Sequence, residues 1–192
     1  MSTLSDIRFL IEQQIKETIE DYDVINWSNE VNAELGTGIN IPSDPAEIVL
    51  STNLEYILPE DLKIINRLRL KSIVDQGLDN EFCTPYRIYN GKLVLPRVLW
   101  IIPDTLIVDY YKHMKHFETI YDEIELPDRL RTVYTFYGFM KYYQNPLVIN
   151  RVGENQARAN SQRYENMYQN MKNQVIAYYS LGDEPITVDR MW

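Results

Sequence analysis

The sequence contains a single cysteine, Cys83, among its 192 residues. One thiol excludes an internal disulfide and argues against a secreted fold held together by disulfides. No apolar stretch approaches the roughly 18 residues that a membrane-spanning helix needs. The seven glycines form no glycine-rich phosphate-binding loop. The chain has an ordinary globular composition, with 45% hydrophobic and 24% charged residues. This hydrophobic content and length are enough to bury a core.

Basic residues are also in short supply. The chain has 19 Lys and Arg against 28 Asp and Glu, which gives a formal net charge of −9. Tight wrapping of nucleic acid is disfavoured because phosphate binding needs clustered basic side chains. An acidic surface that DNA slides past is compatible with this charge. The short basic run Arg67, Arg69 and Lys71 is weak evidence for a nucleic-acid site, and these side chains equally suit ion pairs across a subunit interface.

Phenylalanine is scarce and tyrosine is abundant, with 5 Phe against 15 Tyr. Tyrosine combines a flat apolar body with one polar group, so it is favoured where two surfaces meet and water is only partly excluded. A core with polar rims explains the same composition. The tyrosine content alone leaves both interpretations open.

Residue patterns for catalysis are missing. His113 and His116 are three residues apart and have no third ligand, so a solvated polar face is a better interpretation than a metal site. Cys83 is interpreted as a structural thiol. The acidic cluster that begins at Asp122 is interpreted as support for the helix that follows it. We therefore assign no catalytic, cofactor-binding or metal-binding residue, and we expect no enzyme activity and no cofactor.

Periodic apolar residues and proline or glycine signals predict five helices. Isoleucines at three- and four-residue steps predict an amphipathic helix over residues 4 to 20. Proline at a first helical position predicts a short helix near 45 to 56 and another from Pro59 to Gly77. The Leu126-Pro127 step opens an aromatic helix that runs to about Gln144, and the last helix covers about Glu154 to Tyr179.

Asn90-Gly91 is the strongest local signal, because this dipeptide favours the type I′ turn between two antiparallel strands. It predicts strands over 86 to 89 and 92 to 95, with a further strand within 97 to 111. The fold class predicted is mainly α: a bundle of four to five helices over residues 1–182, with a small antiparallel β-hairpin insertion near 84–108. An extended C-terminal tail follows over residues 183–192.

Three segments together resemble one protein family. The first is Gln76-Gly77-Leu78-Asp79-Asn80-Glu81-Phe82 followed by the hairpin from Tyr86 to Pro96. The second is Ile124-Glu125-Leu126-Pro127 with its aromatic helix, and the third is Glu154 to Tyr164. In order and spacing these segments are similar to the head-to-tail adaptor, or tail tubular protein A type, of short-tailed phages. The resemblance covers roughly residues 60 to 180.

The resemblance implies a structural virion protein of the neck, assembled in the bacterial host cytoplasm. In that family, twelve copies form a ring beneath the portal protein and extend the DNA channel, which serves genome retention and ejection. The implied partners are further copies of the chain, the portal protein, and the tail nozzle or next ring below. Viral DNA would pass through the lumen without sequence-specific binding, and no membrane would be involved.

A ring needs side-to-side contacts, and a helix that is apolar on two sides suits them. The resemblance therefore implies a subunit interface made by aromatic residues of the last two predicted helices: Tyr134, Phe136, Tyr137, Phe139, Tyr143, Tyr164 and Tyr168. Met191 and Trp192 are predicted either to fold back on their own subunit or to dock on the portal or a neighbouring ring, since a tryptophan is costly to expose and is an effective anchor. The alternative function is a small helical protein-binding regulatory module without enzyme activity.

Overall fold

The computed structural model describes residues 2–51, 53–71, 86–95 and 105–180, together with the backbone of residues 79–81. The chain divides into two compact units. The described residues before Asn40 and after His113 form a helical unit, and those from Asn40 to His113 form a sheet unit. No helix within the described ranges is long and apolar enough to cross a membrane.

The helical unit contains five α-helices and one short 3₁₀ helix. The α-helices are α1 (Leu4–Ile15), α2 (Asp21–Gly36), α3 (Thr132–Gln144), α4 (Pro146–Val152) and α5 (Glu154–Ser180), and the 3₁₀ helix spans Asp128–Leu130. Helix α3 contacts each of the other four, so it is the centre of the unit. At 1.5 Å per residue, the 27 residues of α5 extend over about 40 Å.

Helix α1 begins at Leu4, as predicted, and ends at Ile15, five residues before its predicted end. Thr3 and Asp6 form a capping box, which satisfies two backbone donors at the N-terminus. The predicted stripe is buried at Leu4, Ile7 and Ile11. The helix ends at Ile15 because Lys16 takes a left-handed conformation with φ of 60°.

Helix α2 was not predicted, although its apolar residues have helical spacing. Val24, Val31 and Leu35 are buried along one face. Ser28 and Asn32 lie on the same buried face and are 3% and 6% exposed. Two polar residues within the stripe weaken the apolar periodicity that sequence analysis relies on.

The predictions of helices from Leu126-Pro127 to Gln144 and from Glu154 to Tyr179 are confirmed. The first begins as the 3₁₀ turn and continues as α3, and α5 ends within one residue of its predicted end. Asn145-Pro146, directly after the predicted end at Gln144, is also the start of α4. The Asn145 side chain accepts a hydrogen bond from the Leu147 N–H at 2.9 Å, and Pro146 occupies the first turn.

The sheet unit contains eight strands: β1 (Ile41–Pro42), β2 (Ala46–Val49), β3 (Glu55–Ile57), β4 (Leu62–Lys71), β5 (Asp79–Glu81), β6 (Arg87–Tyr89), β7 (Lys92–Val94) and β8 (Thr105–Lys112). One antiparallel sheet has the order β1-β8-β4-β5, with β2 also paired to β8. A second antiparallel sheet has the order β3-β7-β6. Strand β8 is the central strand of the first sheet because it pairs with β1, β2 and β4.

The hairpin prediction is confirmed. Strands β6 and β7 flank Asn90 and Gly91, which have φ of 50° and 70°. Two consecutive positive φ angles are the requirement of a type I′ turn. The predicted further strand is β8, and the rest of its predicted range, 97–104, lies outside the described residues.

The prediction of a mainly α bundle with one hairpin is wrong. About half of the chain is helical and about a quarter is strand, arranged in two antiparallel sheets. The predicted helix near 45 to 56 is replaced by strands β2 and β3, and the one that Pro59 opens is strand β4. The sheet unit accordingly spans Asn40–His113, well beyond a hairpin near 84–108. Gly77 and the tail 183–192 lie outside the described residues.

The physical reason is the pairing of β4 with β8. Leu68 lies opposite Val108, and both are buried in the core of the sheet unit. Spacings such as Leu62, Ile65 and Leu68 fit a helical face, but Leu68 and Leu70 also fit a strand period of two. Pairing with β8, which is distant in the sequence, decides between the helical and the strand period of this segment. Local propensity alone cannot make that choice.

Candidate interaction surfaces

The seven aromatic residues predicted at a subunit interface all lie in the helical unit. Four are buried, and these are Tyr134, Tyr137, Phe139 and Tyr168. The other three, Phe136, Tyr143 and Tyr164, are partly buried. Met191 and Trp192 lie outside the described residues. Any exposed surface that this set offers to a neighbour therefore comes mainly from its three partly buried members.

These aromatic rings join α3 to α5 within one subunit. Tyr137 and Tyr168 meet edge to face with ring centres 4.8 Å apart. Phe139 lies 4.6 Å from Tyr164, whose ring also stacks on Tyr143 at 5.9 Å. Such pairs add about 0.5–1.5 kcal/mol each beyond the area that they bury. The interface role of the seven residues stays a prediction, while their packing inside the subunit is observed.

Two tyrosine hydroxyls between α3 and α5 donate hydrogen bonds to carboxylates of α2. Tyr137 donates to Glu30 Oε2 at 2.6 Å, and Lys141 Nζ lies 2.6 Å from the same oxygen. One helical turn further, Tyr168 donates to Glu34 Oε2 at 2.7 Å and Lys172 Nζ is also 2.7 Å away. Each carboxylate therefore accepts from one tyrosine and one lysine.

Burial and these hydrogen bonds together shift the pKa values of the carboxylates and the tyrosines. Burial alone would raise the pKa of Glu34, but hydrogen bonds from Lys172 and Tyr168 outweigh it and keep the pKa below its ordinary value. Glu30 behaves in the same way: burial opposes the shift, and hydrogen bonds from Lys141 and Tyr137 lower its pKa. Burial, followed by the bond to Glu30, raises the pKa of Tyr137. Both carboxylates are therefore charged near neutral pH, and each is held by two donors at one oxygen.

A third cluster of a tyrosine, a carboxylate and a basic side chain connects the end of α3 to the loop between α1 and α2. Tyr142 donates to Glu17 Oε2 at 2.8 Å, and Arg151 of α4 lies 2.7 Å from both Glu17 Oε1 and the Tyr142 oxygen. Burial and the bond to Glu17 raise the pKa of Tyr142 to about 12. The hydroxyl remains protonated and continues to donate. The three groups hold neighbouring helices in one arrangement.

Tyr134 makes a separate buried contact that explains the polar face of α2. Its hydroxyl donates to Asn32 Oδ1 at 2.6 Å, and Asn32 Nδ2 donates to the Lys115 carbonyl at 2.7 Å. Both polar groups are thereby satisfied in the core, where an unpaired one would cost about 1–3 kcal/mol. Burial is the main reason that the pKa of Tyr134 is raised.

The residues considered for chemistry have structural roles or lie outside the described ranges. Asp122 accepts hydrogen bonds from the backbone N–H groups of Glu118 and Thr119 at 2.7 and 3.0 Å. Those bonds, together with Lys115, lower the pKa of Asp122 to about 2. It therefore holds the loop that precedes it, whereas the sequence placed it in support of the following helix. Cys83 lies outside the described residues.

A metal site was considered at the two histidines. His116 Nε2 lies 3.5 Å from Asn29 Nδ2, and Asn29 Oδ1 accepts a hydrogen bond from the Phe117 N–H at 2.8 Å. Within residues 2–51, 53–71, 86–95 and 105–180, no three His, Cys, Asp or Glu side chains are grouped so that they could hold a metal ion.

Two residues of the basic run of β4, Arg69 and Lys71, are paired inside the sheet unit. Arg69 Nε and Nη2 donate to the two oxygens of Asp109 on β8, at 2.7 and 2.8 Å. Lys71 Nζ lies 3.1 Å from Glu47 Oε1 on β2. Bidentate geometry makes the arginine pair the stronger of the two. These contacts were considered in the sequence as pairs across a subunit interface, and both are found between strands of one subunit.

The sheet unit also carries a groove that the sequence did not predict. It has a volume of about 600 Å³ and lies between the three-stranded sheet and β4. Its apolar lining includes Ile57, Ile64, Ile65, Tyr86 and Ile88. Ile57 is 78% exposed, and Ile64, Tyr86 and Ile88 are between 40% and 50% exposed.

Strand register explains why the groove is apolar. Tyr56, Leu93 and Ile88 lie opposite one another across β3, β7 and β6, so all three side chains are on the same face. Tyr56 and Leu93 are buried in the core of the unit. Ile88 continues this face onto the outermost strand, where the core no longer covers it. The alternation of Tyr56, Leu58 and Leu93, Leu95 was the signal available in the sequence.

Comparisons with known proteins add no identification. No protein-family model matches the chain, and no curated protein shows significant similarity to it.

Proposed function

We propose that this chain is a structural virion protein that assembles with copies of itself into a head-to-tail connector ring of a short-tailed phage. The ring would sit between portal and tail, extend the DNA channel, and act in genome retention and ejection. The order of the three sequence segments from Gln76 to Tyr164 motivates this proposal. Its physical support comes from the surfaces of the two units.

The observation that carries the proposal is the distribution of exposed apolar side chains. The sheet unit has about half as many described residues as the helical unit, yet it holds seven of the thirteen exposed large apolar side chains. These seven are Val49, Leu54, Ile57, Ile64, Tyr86, Ile88 and Tyr89. A concentration of exposed apolar side chains in one unit favours a site for another protein.

The ionisable groups support a non-enzymatic role. Glu17, Glu30 and Glu34 are each bonded to a tyrosine and a basic side chain. A pair of ionisable groups poised for acid and base chemistry needs a cavity that admits a substrate. The groove of the sheet unit is instead lined mainly by apolar residues. An adhesive surface fits these observations better than a reaction site.

Charge supports the passage of DNA. A net charge of −9 gives no counterion-release gain on contact with phosphate, so a ring of such chains would not hold DNA tightly. Ring closure needs heterologous contacts, in which one patch of each copy meets a different patch of the next. The exposed apolar side chains of the sheet unit could supply one of these patches.

Electron microscopy of the purified chain, with and without the portal protein of its phage, tests the proposal. Closed rings, alone or on the portal, are expected, with twelve copies as the stoichiometry that the resemblance implies. Ile57→Asp combined with Tyr89→Asp should reduce ring formation, because both side chains are exposed on the sheet unit.

A matched control places the same charges elsewhere on that unit. Asn53→Asp combined with Asn66→Asp adds two negative charges at exposed polar positions. This control should leave ring formation intact. A chain that stays monomeric or dimeric with and without portal would contradict the proposal and favour the protein-binding regulatory module.

A further inference from the structure

One of the strands that line the groove of the sheet unit is an edge strand. Strand β6 forms the edge of the three-stranded sheet, and among the described strands it pairs with β7 alone. All three of its residues, from Arg87 to Tyr89, are exposed. The outer side of such a strand presents backbone N–H and C=O groups that another strand can bind.

The groove lies beside this edge and is apolar. Ile88 and Tyr86 line it from the side of β6, and Ile64 and Ile65 line it from β4. An extended peptide that pairs with β6 would therefore place alternate side chains in the groove. Backbone hydrogen bonds provide affinity in this mode of binding, and the pocket for alternate side chains provides specificity.

The chain itself contains a segment with matching chemistry. After α5 come residues 181–192, which include Pro185-Ile186-Thr187-Val188. Ile186 and Val188 are two positions apart, so in an extended conformation both point to the same side. β-branched residues favour that conformation, and a proline is tolerated at the start of an edge strand. Four residues span about 13 Å, which is enough to cover β6.

Charge favours the same match. Asp183 and Glu184 precede the apolar pair and Asp189 follows it. The edge strand carries exposed Arg87, whereas Lys92 of the neighbouring strand is already paired with Glu55 at 2.8 Å. An acidic segment is therefore attracted to this edge, which adds to the association rate more than to the affinity.

We infer that residues 185–188 of one copy add as a strand to β6 of the next copy, with Ile186 and Val188 in the groove. This inference rests on the proposed function, because it supplies the heterologous contact that a ring requires. The groove of one copy and the segment of another differ in chemistry. Such a contact propagates from copy to copy until the ring closes.

Two full-length variants test the inference separately and as a mixture. Ile88→Arg blocks the groove, and Ile186→Arg with Val188→Arg blocks the segment. Sedimentation velocity should show each variant alone as small species, with association weakened at least tenfold. An equimolar mixture should recover two-copy complexes without closed rings, because one intact groove can then meet one intact segment. Asn66→Arg, an exposed change of equal charge, should assemble like the unaltered chain.

A labelled peptide of residues 181–192 gives a second measurement that does not depend on ring formation. By fluorescence anisotropy it should bind the segment variant, whose grooves are unfilled, and bind Ile88→Arg at least tenfold more weakly. Circular dichroism checks that both variants are folded.

The outcomes separate this inference from the ring proposal. If the unaltered chain forms rings and both variants still do so, the inference is overturned and the ring proposal stands. Mixed variants that fail to form two-copy complexes, as expected if the segment binds its own groove, also overturn it. An unaltered chain that never assembles, with or without portal, overturns both.

Discussion

Large side chains are arranged differently in the two units. In the helical unit, Tyr134, Tyr137 and Tyr168 are buried and each hydroxyl donates to a side chain of α2. In the sheet unit, Ile57 and Tyr89 are 78% and 70% exposed. The first arrangement stabilises one subunit, and the second leaves apolar side chains exposed among the described residues.

The comparison shows how a tyrosine-rich unit can bury its aromatic rings. A tyrosine can be buried when its hydroxyl has an acceptor, and α2 provides acceptors at Glu30, Asn32 and Glu34. The helical unit can therefore take aromatic residues into its core. The exposed isoleucines of the sheet unit, by contrast, have no polar group that could form a hydrogen bond to water.

The largest effect on stability is expected for Tyr168→Ala. The side chain is 1% exposed, packs on Tyr137 and donates to Glu34, so its removal leaves a cavity and an altered carboxylate. We expect a loss of about 3–5 kcal/mol in the free energy of unfolding. Urea denaturation measures it, with Tyr22→Ala at a 72% exposed position of the same unit as the control. Equal losses in the two variants would contradict the difference between buried and exposed tyrosines.

A smaller loss is expected for Tyr134→Phe, which keeps the ring and removes the hydroxyl. Asn32 Oδ1 then loses its donor in the core. We expect a cost of about 1–3 kcal/mol, the penalty for one unsatisfied buried polar group. The same urea titration applies, and Tyr121→Phe at a 76% exposed position should be neutral. A neutral Tyr134→Phe would mean that the hydrogen bond does not help to stabilise the helical unit.

The helical unit should also lose stability in acid. The pKa of Asp122 is about 2 in the folded chain, below its ordinary value of 3.8, so the folded state binds this proton less readily than the unfolded state. The stabilisation is present above about pH 4 and is lost as the pH falls towards 2. Glu30 and Glu34 act in the same direction because their pKa values are also lowered.

Asp122→Asn tests this pH dependence. The variant should be less stable near neutral pH and should show a weaker dependence of unfolding free energy on pH between 4 and 2. Glu154→Gln, at an exposed position of α5, controls for the loss of one negative charge. Parallel pH profiles for Asp122→Asn and the unaltered chain would show that Asp122 does not contribute to acid sensitivity.

The smallest effect on stability is expected in the sheet unit, for Ile57→Thr. The side chain is 78% exposed, so the unfolding free energy should change by no more than about 0.5 kcal/mol. Sedimentation of the same variant should nevertheless show weaker self-association. Leu93→Ala, at a fully buried position of the neighbouring strand, is the contrasting change and should cost about 2–5 kcal/mol. A large stability loss for Ile57→Thr would place this residue in the core rather than on a contact surface.

Local chemistry in the sequence was sufficient for several elements. Asn90-Gly91 was sufficient to predict a hairpin because both residues readily accept the positive φ angles of the turn. Asn145-Pro146 determined where α3 ends and α4 begins, because the proline has no N–H and the asparagine caps the next helix. The apolar periodicity of α3 and α5 was long enough to predict both helices.

Only the tertiary structure decided the rest. Strand β4 is a strand because β8, about 40 residues away, completes its hydrogen bonds and buries Leu68. Asn32 lies in a core face of α2 because Tyr134, 102 residues away, supplies a donor. The sequence determined conformations that depend on neighbouring residues. It did not determine which surface is buried, because burial depends on partners that are distant in the chain.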